Sequence, residues 1–258
     1  MFAGIGVEIL VLLVILAFVA GIGITTIGPG GIFVTIALFL VTPLSATTVA
    51  GTAHVTFIAT GLAGTIAYRH SGELRTGDGR RMALVLAGAS IIGALLGAHI
   101  NTYVTREAFG MLLGAAAAVT GAILIRRRLG GFGPAVSPDL THGPGLLALG
   151  ALGVFLGTVA GLLGVGGPVI AVPALVLLGV PMLLGLAIAQ VQSIFISGAA
   201  ALGYAWYGAV DWWLVLLVGV PQLAGVLVGW VIAHRVDPDS LTIGLGTTLI
   251  IVGGYLLL

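Results

Sequence analysis

Two short stretches, Gly28-Pro29-Gly30-Gly31 and Gly164-Val165-Gly166-Gly167, decide the fold of this chain, one in each half. A long apolar run precedes each stretch, and a shorter apolar run rich in β-branched residues follows it. Interrupted apolar segments at corresponding positions of two halves are typical of membrane carriers built from repeats, whose binding site lies at the repeat interface. We therefore expect a duplicated membrane protein with a short, glycine-broken helix in each half.

The composition places the chain in a lipid bilayer. Of its 258 residues, 59% are hydrophobic and only 7% are charged, whereas a soluble domain has about 25% charged residues. The nine basic residues are all arginine and the net charge is +1, so a nucleic-acid partner is not expected. The absence of cysteine excludes disulfides and thiolate chemistry. No cleavable signal is expected at the start, and the sequence predicts a multi-pass protein of the cell membrane.

Charged residues divide the chain into apolar blocks that can be counted as membrane spans. The longest blocks are 9–68 and 140–210, and two shorter blocks follow each of them. Because a crossing helix needs about 20 residues, each half is expected to hold about five spans, or four if the elements after the glycines are half-length or re-entrant. The predicted fold is an all-α polytopic membrane protein of two homologous repeats, 1–128 and 145–258, joined by a cytoplasmic linker, 129–144, which lacks apolar periodicity.

The positions of the arginines indicate how the two halves are related. Four arginines lie in the segment 69–81 and three in 126–128, two crossings further along the chain. Basic residues concentrate in cytoplasmic loops, and five spans per half place both clusters inside. The same number places the arginine-free loop around Gly208 outside, whereas four spans per half would place it inside. The pattern favours an inverted relation between the repeats.

With these features the chain resembles the sulfite exporter TauE/SafE family, also called the TSUP permeases. The resemblance rests on both glycine signatures, the turn with a proline after each, and two further segments in the same order in each half. These are Gly72-Glu73-Leu74 and Gly93–Ala98 in the first half, and Gly208–Trp212 and Gly225–Gly229 in the second. It covers about residues 9–128 and 145–258. It implies a duplicated membrane core that moves small sulfur-containing anions such as sulfite, organosulfonates and thiosulfate, usually outward. Pro29 departs from the family pattern, in which a small or β-branched residue is more usual.

The predicted spans contain no carboxylate, lysine or arginine, which limits the substrate. A cation would ordinarily meet an intramembrane Asp or Glu, whereas an anion can bind backbone N–H groups at the positive end of a helix dipole. Glycine allows close approach of the backbone and a positive φ. The predicted anion cradle therefore consists of the signature glycines, namely Gly28, Gly30, Gly31, Gly164, Gly166 and Gly167. Close helix packing on small residues is the alternative interpretation of these glycines.

Polar side chains on the spans after the two glycine stretches complete the predicted site. Thr52 and His54 lie on the first of these spans, and Gln192 and Ser193 on the second. Gln190 and Gln192 fall on different helix faces, and Gln192 is favoured because it is placed opposite His54. The unperturbed pKa of histidine, about 6.5, would let His54 add positive charge or carry a coupled proton. Hydrogen bonding between helices is the alternative role for each of these side chains.

The sequence thus predicts a secondary transporter of a small anion, sulfite or another sulfur-containing anion, which works in export by alternating access. It is not expected to be an enzyme, because no convincing catalytic set is present, and no cofactor or metal site is expected. Its expected partners are the small anion and the lipid bilayer, and no ATP-binding domain is recognised in the chain. The alternative is a non-transporting membrane subunit that assists assembly of a partner protein.

Overall fold

The computed structural model describes residues 6–130, 139–140, 142–235 and 238–258. Within these residues all regular structure is helical, as predicted: a short 3-10 turn, Pro29–Gly31, and ten α-helices. The helices are α1 (Val7–Thr26), α2 (Ile32–Val41), α3 (Ala46–Ser71), α4 (Gly77–Asn101), α5 (Arg106–Arg128), α6 (Gly143–Leu163), α7 (Gly167–Leu177), α8 (Met182–Trp206), α9 (Trp212–Ala233) and α10 (Pro238–Leu257). The predicted linker lies largely outside the described residues.

Seven of these helices are long and apolar enough to cross a membrane: α1, α3, α4, α5, α6, α8 and α9. The prediction of a multi-pass membrane protein is therefore confirmed. Helices α2 and α7 have 10 and 11 residues, so each is only about 15 Å long at 1.5 Å per residue. That is roughly half of the 30 Å hydrocarbon core, and neither helix can cross alone.

Polar side chains fix where several helices begin. The Ser45 hydroxyl accepts a hydrogen bond from the Thr48 N–H at the start of α3, and Thr76 caps α4 in the same way. The Asp211 carboxylate accepts hydrogen bonds from the N–H groups of Trp213 and Leu214 at the start of α9. Such side-chain oxygens satisfy N–H groups that have no partner within the helix, so these three residues determine where the helices begin.

Small residues set the closest helix contacts. Helix α1 packs along α9, and α6 packs along α4. A Cβ at Gly21 or Gly225 would overlap the facing backbone of α9 or α1, and one at Gly93 or Gly157 would do the same between α4 and α6. Backbones at this separation gain dispersion contacts, which drive helix association where lipid removes the hydrophobic difference.

Two other pairs of helices pack in opposite directions. Along α3 and α8, Gly51 lies beside Tyr204 near the far end of α8, whereas Gly64 lies beside Gln190 in its first half. Along α5 and α10, Gly114 lies beside Gly253 and Gly121 beside Gly246. The antiparallel pair α3 and α8 occupies the middle of the molecule, where it positions the residues described next.

Candidate functional site

Each glycine stretch interrupts the chain deep among the helices. After α1, Gly28 has a φ of +113°, and after α6, Gly164 has a φ of +64°. Side chains with a Cβ rarely adopt such angles, so glycine allows the chain to leave each long helix and enter a short one. Helix α2 follows the turn Pro29–Gly31, and α7 begins at Gly167. The expected glycine-broken short helices are present.

The two breaks meet at a narrow gap. A Cβ at Gly28 would lie 3.2 Å from the Pro168 carbonyl oxygen in the first turn of α7 and 3.0 Å from the Val172 side chain, so the first break packs against α7. Four of the predicted site residues line this gap: Gly28, Gly31, Gly166 and Ser193. The remaining lining residues are Ile24, Phe57, Thr60, Pro168 and Val169.

The gap is polar through its backbone rather than through charged side chains. The turn that leads into α2 and the first residues of α7 both border it, so the N-terminal ends of two short helices point to one place. The first N–H groups of a helix have no intrahelical partner and carry partial positive charge. The gap has no room for a water molecule.

Three of the predicted glycines pack against backbone instead of lining the gap. A Cβ at Gly30 would overlap the α1 backbone at Ala20 and Gly23, and one at Gly164 would overlap Ala50 of α3. A Cβ at Gly167 would lie 2.8 Å from the Ala189 carbonyl oxygen of α8. These contacts match the alternative interpretation, close helix packing.

His54 is fully buried and does not line the gap. Its Nε2 lies 3.2 Å from the carbonyl oxygen of Ala160 and 3.3 Å from that of Gly161, so Nε2 carries a proton and donates to the last turn of α6. Its Nδ1 lies 3.2 Å from the Ser197 hydroxyl, and its ring stacks on Tyr204 with centroids 6.0 Å apart. Every polar atom of the imidazole is thus occupied by protein groups.

Gln190, and not Gln192, corresponds to His54 in its contacts. The Gln190 side-chain amide donates to the carbonyl oxygen of Ile24 at 3.3 Å, in the last turn of α1. Gln192 donates to the Ser90 hydroxyl of α4 at 2.8 Å and shares no partner with His54. The predicted placement of His54 opposite Gln192 is therefore wrong. The offset that relates the first glycine stretch to the second leads from His54 to Gln190.

Two buried tyrosines support the same two helix ends. The Tyr68 hydroxyl donates to the carbonyl oxygen of Thr25 at 2.5 Å, and the Tyr204 hydroxyl donates to that of Gly161 at 2.8 Å. The offset between the glycine stretches also relates the two tyrosines to each other and the two acceptors to each other. These side chains were not predicted, although this constant offset was the signal that could have found them.

Thr52 lies away from the gap, at the start of α9. Its hydroxyl oxygen accepts a hydrogen bond of 2.9 Å from the Asp211 N–H, at the entry to α9. It does not border the gap between the glycine breaks, so the structure separates Thr52 from Ser193.

Arg106 holds the other end of α2. Its guanidinium donates to the carbonyl oxygens of Phe39, Thr42 and Leu44, and it lies 4.4 Å from the centre of the Phe39 ring. A cation at a helix C-terminus complements the negative end of the dipole. Arg106 therefore stabilises the orientation in which the N-terminal end of α2 borders the gap.

Within the part of the chain that the structure describes, no group of three or more His, Asp or Glu residues could hold a metal ion. Buried amides without a partner occur instead. The Oε1 atoms of Gln190 and Gln192 and both side-chain polar atoms of Gln222 have no hydrogen bond among the described residues. These groups give the interior additional polarity without adding charge.

Comparison with known proteins identifies the family. Neither the curated proteins nor the solved structures contain a match to this chain. The model of the family described as sulfite exporter TauE/SafE matches residues 13–256, nearly the whole chain. The chain belongs to the sulfite exporter TauE/SafE family of membrane transporters.

Proposed function

We propose that this protein is a secondary transporter that exports a small sulfur-containing anion, sulfite or a close relative, across the cell membrane, and that the anion binds between the glycine breaks. One observation carries this proposal: the N-terminal ends of α2 and α7 border the same gap, and none of the described residues that line it is acidic. Two helix N-termini attract an anion, and the family supplies the class of anion.

The proposed site consists of backbone N–H groups around Gly31 and Gly166, together with the hydroxyl of Ser193. Gly28 contributes its positive φ rather than a donor, because its N–H already donates to the Gly23 carbonyl oxygen at 3.0 Å. Ser193 is buried, and its Oγ would lie 3.3 Å from a Cβ placed on Gly166. A hydroxyl donor and backbone N–H groups suit an oxyanion, which offers several acceptor oxygens. Phe57 forms an apolar wall beside them and limits the space at the site to a small anion.

We further infer that the two halves are an inverted repeat and that transport uses alternating access about the gap. The antiparallel packing of α3 on α8 and of α5 on α10 supports this, because corresponding helices of inverted repeats run in opposite directions. The hydrogen bonds of Tyr68 and Tyr204, equal in type and placed at corresponding positions of the two halves, support it as well. Rocking of one half against the other would open the closed gap to one side at a time.

The membrane potential can supply the driving force for export. One monovalent anion that leaves a cell with a negative interior gains about 2.3 kcal/mol per 100 mV. No proton relay is then required, which agrees with the complete commitment of His54 to protein hydrogen bonds. We propose electrogenic export without a coupled proton.

Thermal stability of the purified protein in a panel of anions tests the substrate class. Sulfite, thiosulfate, sulfate, a small sulfonate, a small carboxylate and chloride would each be added at millimolar concentration. A ligand of the native state stabilises it by RT ln(1 + [L]/Kd), about 2.7 kcal/mol at one hundred times Kd. The proposal predicts a selective increase in Tm for one sulfur anion. An equal response to all six anions would contradict a specific site and would favour a role in assembly.

A further inference from the structure

A cleft of about 730 Å³ opens between α3 and α4, beside the loop that connects them. Its loop end is lined by four basic side chains, those of Arg69, His70, Arg75 and Arg80. Its other end is lined by apolar side chains, among them Ile66 and Leu84. The cleft lies apart from the gap between the glycine breaks and shares no lining residue with it.

The cleft exists because α3 and α4 diverge. The two helices are consecutive but touch each other little, and both pack on α8, whose Val191 forms the floor of the cleft. Ile66 is 68% exposed and Leu84 is 53% exposed, although both lie on membrane-spanning helices. Large apolar side chains exposed at such positions face lipid, so the cleft opens sideways into the bilayer.

The basic side chains of the cleft are not neutralised by neighbours. Among the described residues, the side chains of Arg69, Arg75 and Arg80 have no hydrogen bond or ion pair, and all three are exposed. The Glu73 carboxylate is engaged elsewhere, by the Ser71 hydroxyl at 2.6 Å and by the His234 ring at 3.3 Å. The positive charge at the loop end is therefore available to an external anion.

The charged and apolar parts of the cleft are aligned along each helix. Ile66 precedes Arg69 by three residues on α3, and Leu84 follows Arg80 by four on α4. Residues at these spacings lie on one face of a helix, about one turn apart. The cleft thus presents guanidinium groups next to an apolar groove, which is the order of polar and apolar parts in a phospholipid.

We propose that this cleft binds an anionic phospholipid, with its phosphate head group at Arg69, Arg75 and Arg80 and an acyl chain between α3 and α4. Guanidinium groups bind phosphate oxygens in bidentate geometry, and basic pockets between membrane helices suit lipid head groups. The loop between α8 and α9, residues 207–211, contains no basic residue. Arg106 lies at the same end of the molecule as this loop, but its guanidinium is engaged by carbonyl oxygens at the end of α2. We therefore place the lipid site at the opposite end, beside the loop between α3 and α4.

Lipid binding by the full-length protein tests this inference. The protein would be placed in phosphatidylcholine nanodiscs with and without phosphatidylglycerol, and its Tm and the number of retained lipids by native mass spectrometry would be measured. Phosphatidylglycerol is expected to raise the Tm of the wild type. Each change among Arg69→Gln, Arg75→Gln and Arg80→Gln is expected to weaken retention roughly fivefold. Arg81→Gln is the matched control, since Arg81 is adjacent in sequence but does not line the cleft.

Two outcomes would overturn the inference. If Arg81→Gln reduces retention as much as Arg80→Gln, the lipid responds to diffuse surface charge rather than to the cleft. If soluble glycerol 1-phosphate raises the Tm of the wild type as much as phosphatidylglycerol does, the cleft is a site for a free anion and not for a lipid.

Discussion

The two glycine breaks are held by corresponding but chemically different side chains. His54 donates to two carbonyl oxygens at the end of α6 and has a further partner in Ser197. Gln190 donates to one carbonyl oxygen at the end of α1, and its own oxygen has no partner among the described residues. The second break is therefore more firmly anchored than the first, and we expect the first break to move more when the gap opens.

The largest effect is expected at Gly30 and Gly166, which occupy the same position in the two glycine stretches. Gly30 packs against the α1 backbone, whereas Gly166 lines the gap. Gly30→Val should prevent accumulation of folded protein, because a Cβ there overlaps the α1 backbone, which cannot shift cheaply. Gly166→Val should fold, because its nearest neighbours are the Ser193 hydroxyl at 3.3 Å and the Phe57 ring at 3.4 Å. Size-exclusion profiles of the two variants in detergent provide the measurement. Equal yields of monodisperse protein would refute the distinction.

The second-largest effect is expected from His54 and Gln190, the two side chains that anchor the glycine breaks. His54→Ala should lower the free energy of unfolding by up to about 1.7 kcal/mol, the upper range for hydrogen bonds between membrane helices, and Gln190→Ala by nearer 0.6 kcal/mol. His54→Gln should recover most of the loss, because a glutamine amide already makes the corresponding hydrogen bond at the other break, where Gln190 donates to Ile24. Thermal unfolding in one detergent measures all three. A larger loss for Gln190→Ala than for His54→Ala would contradict the unequal anchoring.

His54→Gln also separates anchoring from proton coupling. Because all polar atoms of His54 bind protein groups, the variant should retain anion flux and leave its dependence on pH unchanged. Flux in proteoliposomes between pH 6 and pH 8 checks this. Loss of flux in a variant of native stability would show that the imidazole itself takes part in transport.

The breaks could be predicted from the sequence because a positive φ favours glycine, and glycine stands at both such positions, Gly28 and Gly164. It did not separate Gly30, which packs, from Gly31, which lines the gap, because that depends on which neighbour each glycine faces. The choice between Gln190 and Gln192 failed for a related reason. Polarity alone does not fix helix register, whereas the constant offset between the two halves would have selected Gln190.

The smallest effect is expected from the tyrosines, where the two halves are alike. Tyr68→Phe and Tyr204→Phe each remove one hydrogen bond to a carbonyl oxygen and leave the ring in place. Each should cost about 0.6 kcal/mol of unfolding free energy. Thermal unfolding of both variants gives the comparison, and a difference of more than about 1 kcal/mol between them would show that the two helix ends are not supported equivalently.

Sulfite efflux from proteoliposomes tests most directly whether the anion passes between the glycine breaks. Gly166→Ala adds one methyl group to the gap, while Gly198→Ala adds the same group to α8 where no atom lies within 4 Å. We predict that Gly166→Ala keeps native stability and loses at least tenfold in efflux rate, while Gly198→Ala transports as the wild type does. Equal efflux by the two variants would contradict a substrate site at the gap.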